Sequence, residues 1–121
     1  MSDIATLDAE LNQTILAGQI MEAFEKFFAE DCTMQENSNE PTVGKDANRQ
    51  RELDFLGAVD QVHGIELVAS ATATGDGVSF SEWTFDMTMK GGDRKKLVQT
   101  SVRRWRDGRV IRERFYYDSA A

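Results

Sequence analysis

KLVQTSVRRWRDGRVIRERFYYD, residues 96–118, decides the fold of this chain. It reads as two long extended segments folded back at Asp107-Gly108, a dipeptide that favours a tight hairpin turn. The stretch holds four of the eleven aromatic residues and much of the positive charge. Two strands alone are at best marginally stable in water. One face of the hairpin must therefore rest on apolar cover supplied by the rest of the chain.

Working backwards, residues 65–74 and 78–90 are two more extended runs, separated from each other and from the hairpin by Gly75-Asp76-Gly77 and Gly91-Gly92-Asp93. Strands punctuated by such turns build an antiparallel meander. Ahead of it the period changes to that of helices. Ser2 is a suitable N-cap for a first helix in which Ile4, Leu7, Leu11 and Ile15 recur on one face, with Gly18 as its stop. A second helix is expected over residues 19–29, with Ile20, Phe24, Phe27 and Phe28 as its apolar stripe. Residues 32–36 read as a short strand and residues 36–41 as a polar loop. Residues 45–59 return to helical spacing, with Leu53, Leu56 and Val59 inside and Asp46, Arg49, Glu52 and Asp60 outside. Helices followed by a meander imply an α+β protein whose helices gather on one face of the sheet.

Size and composition fit one domain, residues 1–121, with 40% hydrophobic and 29% charged residues and a single proline. The N-terminal MSDIATLDAELNQ has no basic segment and no continuous apolar run, so it reads neither as a signal peptide nor as a membrane span. A cytoplasmic protein is expected, with Cys32, the only cysteine, as a small buried hydrophobe. Charge is divided: residues 1–60 hold 13 acidic and 4 basic side chains, residues 90–118 hold 4 and 10. With a net charge of −7, the whole chain repels phosphate, so no nucleic-acid partner is expected. His63 is the only histidine, expected at the surface or at a strand start, and it offers no metal cluster. No phosphate loop and no Ser/His/Asp arrangement is present, and no cofactor is expected.

Helix-Gly-helix, then FFAEDCTMQE, a loop with Glu40-Pro41, a third helix and the closing RWRDGRVIRERFYYD together resemble the SnoaL-like group of the nuclear transport factor 2-like superfamily, relatives of steroid isomerases, scytalone dehydratase and polyketide cyclases. The resemblance implies a cone: a curved antiparallel sheet wrapped on three N-terminal helices around an apolar interior, usually as a homodimer. It also implies a small hydrophobic ligand. In the steroid isomerases a carboxylate three residues beyond the threonine of the first strand shuttles a proton, and Glu36 stands at that place after Thr33. Their two oxyanion donors fall on Leu11 and Ser101, so the resemblance implies no such oxyanion hole and no steroid isomerisation.

Alternation along a strand places side chains once one face is known. Trp83, Phe85, Met87 and Met89 share a face opposite Glu82, Thr84, Asp86 and Thr88, and the apolar set is expected inside, either as plain core or as a ligand wall. Glu113, Phe115 and Tyr117 share the inner face of the last strand. The turn leaves two registers open. A two-residue turn pairs Trp105 with Val110 and sets Val102 opposite Glu113. A three-residue loop pairs Trp105 with Arg109, sets Ser101 opposite Glu113 with Arg103 diagonal, and is preferred because it keeps Ser101 inward as the resemblance requires. Arg104, Arg112 and Arg114 are expected outside, near Glu82 and Asp86.

A carboxylate at an apolar wall must be paired, hydrogen-bonded or protonated. Glu113 is therefore either a structural partner of Arg103 or a second titrating group. The expected site comprises Glu36 as general base, Glu113, and a wall of Trp83, Phe85, Met87, Gln99, Ser101, Arg103, Phe115 and Tyr117. Two functions follow: an isomerase-, cyclase- or dehydratase-like enzyme acting on a hydrophobic carbonyl compound, or a non-catalytic ligand-binding or dimeric interaction domain of the same fold.

Overall fold

The computed structural model describes residues 3–119. Helices α1 (Ile4–Leu16) and α2 (Ile20–Phe27) lead into β1 (Phe28–Glu36) and β2 (Thr42–Val43). Helix α3 (Lys45–Ala58) precedes β3 (Val59–Ala73), β4 (Val78–Met89), β5 (Arg94–Arg106) and β6 (Arg109–Tyr116). The strands form one sheet in the order β2-β1-β6-β5-β4-β3. The α+β architecture expected from the sequence is present, with the last four strands as an antiparallel meander. The sheet is mixed, because β1 joins it parallel to β6.

Local chemistry explains the element ends. Asp3 caps α1 by accepting from the Thr6 amide at 2.9 Å, while Ser2, the expected cap, lies outside the described residues. Gly18, at φ 81°, ends the helix in a conformation that costs glycine little. Helix α2 stops at Phe27 and passes without a loop into β1, which therefore starts four residues before the expected Cys32. Lys45 stabilises that junction: its buried Nζ donates to the carbonyls of Glu25 and Phe28, both at 2.9 Å. Helix α3 likewise runs straight into a strand, so β3 begins at Val59 rather than Ile65. Val59 continues the helical apolar spacing of Leu56, which is why periodicity assigns it to the helix. Its pairing with Met89 draws it into the sheet instead. His63 is thus inside a strand, exposed, with Nε2 2.6 Å from Thr88 Oγ1.

β2 was not expected at all. It pairs with β1 at Thr33 and Met34, and Asn48 of α3 fastens it, donating from Nδ2 to the carbonyls of Thr42 and Gly44. The main core lies beneath the helices, where Leu11, Phe24, Phe27, Phe28, Cys32, Met34, Trp105 and Val110 are buried together. Burial raises the Cys32 thiol above its ordinary range, as suits an inert buried side chain.

The decisive hairpin follows neither simple register. Asp107 (φ 52°) and Gly108 (φ 77°) form a two-residue turn, and Trp105 pairs with Val110. The three-residue loop is therefore corrected. Beyond that pair Ile111 is inserted as a bulge, which shifts the ladder so that Arg103 lies opposite Glu113 and Ser101 opposite Phe115. On the outer face Arg104 opposes Arg112, not an acid. Asp86 bonds Arg94 instead, and Arg114 turns to the Asn37 carbonyl and the Ser38 hydroxyl. The expected cross-strand pairing of these arginines with Glu82 and Asp86 is absent among the described ion pairs.

Candidate functional site

Between helices and sheet lies a cavity of about 330 Å³. Its wall is mainly apolar: Leu11, Ile15, Phe24 and Phe28 from the helices and β1, Trp83, Phe85 and Met87 from β4, Phe115 from β6. Gln99, Ser101 and Arg103 of β5, Glu113 of β6 and Glu36 of β1 complete the expected set. Tyr117 does not line it; its phenol stands beyond β6 beside Glu36 and is pushed up first by burial and then by that carboxylate. Met89 also lies outside the lining.

Charged groups occupy both ends of the cavity. At the buried end Arg103, 2% exposed, donates from Nε to Glu113 Oε2 at 2.9 Å and from Nη1 to Asp8 Oδ1 at 2.8 Å. Nη1 also reaches Asn12 Oδ1 at 2.7 Å. Burial opposes the guanidinium charge, but Glu113 and Asp8 outweigh it and raise the Arg103 pKa. Ser101 Oγ donates to Glu113 Oε2 at 2.5 Å, and Ser79 Oγ donates to Asp8 at 2.8 Å while accepting from the Trp105 indole. A second indole, that of Trp83, donates to Ser81 at 2.8 Å and stacks on Phe85 with centroids 5.7 Å apart. The floor is thus a hydrogen-bonded cluster that fixes Trp105 through Ser79, while Trp83 is held separately by Ser81.

At the more open end one guanidinium holds two carboxylates. Arg51 places Nη2 3.1 Å from Glu36 Oε1 and Nη1 3.2 Å from Glu52 Oε1. Glu36 is half-exposed, whereas Glu52 is 17% exposed and turned into the cavity. Burial is the largest influence on Glu52; with Glu113 and Glu36 it outweighs Arg51 and raises the carboxyl from 4.5 to about 7. Glu52 therefore changes charge near neutral pH.

A family model described as a SnoaL-like domain matches residues 3–117. The chain belongs to the SnoaL-like family. Among solved structures, this SnoaL-like chain resembles a Mesorhizobium loti protein provisionally called a SnoaL-like polyketide cyclase, with 26% identity and a TM-score of 0.84 over 97% of this chain and all of that one. A Burkholderia pseudomallei protein of unknown function, described as NTF2-like, shares the fold at 13% identity, with a TM-score of 0.81 over 99% of this chain and 94% of that one. So does SalBIII, an epoxide hydrolase/cyclase-like enzyme of pyran ring formation in the polyether salinomycin, at 17% identity and a TM-score of 0.78, covering 96% and 91% of the two chains. No curated protein matches the sequence.

Leu11 and Ser101, where the resemblance would put oxyanion donors, do line the cavity of this SnoaL-like protein, but Leu11 has no donor and the Ser101 hydroxyl is engaged by Glu113. Glu52, Arg51, Asp8 and Asn12 were missed. Helical spacing puts Leu53 inside and Glu52 outside; in the structure Leu53 is 45% exposed and Glu52 lines the cavity. Asp8 and Asn12 flank Leu11 on the buried side of α1, and a polar pair one turn apart beside an apolar stripe was the available signal.

Proposed function

We propose that this protein is a cone enzyme of acid–base chemistry, acting on a hydrophobic carbonyl compound, with Glu36 as proton acceptor and Glu52 as proton donor. The observation that carries this reading is the Arg51 guanidinium shared by a half-exposed carboxylate and an enclosed carboxyl group that holds a proton near neutral pH. Two carboxyl groups in unlike surroundings are a recurrent acid–base arrangement. Glu113, locked by Ser101 and Arg103, serves as a positioning group at the floor. The test is hydrogen–deuterium exchange at the α carbon across a panel of apolar ketones. Glu36→Gln and Glu52→Gln should each slow exchange at least about tenfold. The wild-type rate should fall as pH rises through about 7, where Glu52 loses its proton. Exchange that stays at the buffer rate for all three proteins would end the enzymatic reading.

Leu11 and the engaged Ser101 favour a second reading, a cone that binds the same class of ligand without turnover. Under it a ketone raises the melting temperature of wild type and of Glu36→Gln alike.

We also propose a homodimer through the outer sheet face, where Phe80, Val98 and Tyr116 are exposed on neighbouring strands β4, β5 and β6. Sedimentation equilibrium should give twice the chain mass, and Phe80→Lys with Val98→Lys should give the monomer; a wild-type monomer at tens of micromolar would exclude the dimer. A cytoplasmic setting suits a chain whose single cysteine is buried and unpaired. No helix among the described residues is long and apolar enough to cross a membrane.

A further inference from the structure

The charges in the cavity do not balance. Arg103 faces two carboxylates, Asp8 and Glu113, and Arg51 faces two more, Glu36 and Glu52. With every group ionised, the two clusters carry two negative charges in excess; Asp8 is not among the lining residues, and the lining itself, otherwise apolar apart from Gln99 and Ser101, sets Glu36, Glu52 and Glu113 against Arg51 and Arg103, an excess of one. An anionic ligand would meet like charge there, and a neutral one leaves the excess unanswered. The aromatic surfaces point the same way. Trp83, Phe85 and Phe115 line the cavity, and Phe115 already carries one cation, the Arg51 guanidinium 5.8 Å from its ring centre, on one face.

Resting on the reading of this cavity as a small-molecule site, we propose that its ligand is a hydrophobic compound carrying a basic nitrogen, bound as an ammonium beside the carboxylates of Glu36 and Glu52 with its apolar part against Trp83 and Phe115. In the free protein a proton on Glu52 takes up part of the excess charge. The charged groups that act on Glu52 are Arg51 on its own helix, Glu113 of β6 and Glu36 of β1; Tyr117 stands beside Glu36, and Arg103 of β5 lines the same cavity. A cation arriving among them displaces that proton, so amine binding is coupled to its release.

Three rigid probes of nearly equal size separate the possibilities by calorimetry: adamantan-1-amine, adamantan-1-ol and adamantane-1-carboxylate. At pH 8 the amine should bind at least tenfold more tightly than the alcohol, and the carboxylate most weakly. Amine affinity should rise about tenfold from pH 6 to pH 8, as a carboxyl titrating near 7 requires, with proton release visible when buffers of different ionisation enthalpy are compared. Alcohol affinity should stay level over that range. In Glu52→Gln the pH dependence of amine binding should vanish. An alcohol that binds as tightly as the amine at pH 8, or a carboxylate that binds best, overturns the ammonium site while leaving the small-molecule cavity intact. Failure of all three probes to bind removes the cavity reading itself, and the ammonium site with it.

Discussion

Replacing Arg103 with Met should cost about 3–5 kcal/mol of folding stability at pH 7, the range found when one partner of a buried ion pair is removed. The side chain is 2% exposed and is the only cation within bonding distance of Asp8 and Glu113 among the described residues. Methionine fills the hydrocarbon part of the space, so the loss comes from two buried carboxylates left facing each other rather than from a void. That origin has a signature in pH. Without the guanidinium, both carboxyls should bind protons more tightly folded than unfolded, and the deficit should shrink as pH falls towards 4. Adding Asp8→Asn and Glu113→Gln should recover a large part of the loss at pH 7. Urea denaturation of the three proteins, wild type, Arg103→Met and the triple variant, between pH 4 and 7 makes the comparison. A cost below about 1 kcal/mol, or one that does not change with pH, would mean that water reaches this floor and that Arg103 does not hold it.

The same cluster shows what could be read from the residues alone and what could not. Glu113, Phe115 and the Trp83-Phe85-Met87 wall follow from the two-residue alternation of strands, and a buried carboxylate near an arginine demands pairing, so the encounter of Arg103 with Glu113 was legible. The manner of their meeting was not. It depends on the Ile111 bulge, and no residue type marks a bulge within an alternating strand. Asp8 lies 95 residues from Arg103, and nothing local in α1 says which strand will arrive above it. Helix α3 failed for another reason. Its apolar residues are sparse and not confined to one stripe, so hydrophobicity alone favours Leu53 over Glu52 as the inner face, whereas Arg51, Glu52, Phe55 and Leu56 are the residues the cavity receives. A carboxylate turned inward is a cost that only a site would retain, and propensity reasoning reads it as surface by default.

Glu52→Gln should leave stability unchanged below about pH 4.5 and raise it by about 3 kcal/mol at pH 8. The enclosed carboxyl has its pKa raised from 4.5 to about 7 in the folded protein, and each unit corresponds to about 1.4 kcal/mol. The sign follows from which state holds the proton. Below 4.5 folded and unfolded chains both carry it, and Gln is its near isostere. Between 4.5 and 7 the unfolded chain has released the proton while the folded chain keeps it, so wild-type stability falls with rising pH until the folded group titrates as well. Above 7 the folded protein holds an ionised, poorly hydrated carboxylate, which the ion pair with Arg51 offsets only in part. The glutamine variant has no such charge, and Arg51 keeps Glu36 at 3.1 Å. Paired thermal and urea unfolding at pH 4.5, 6, 7 and 8 makes the comparison, since titrations of groups not coupled to Glu52 cancel in the difference. A constant difference across that range would place Glu52 in water and remove it as proton donor. A difference that grows with pH would show the chain retaining a destabilising carboxyl at its cavity wall, the trade between stability and activity expected of a working acid.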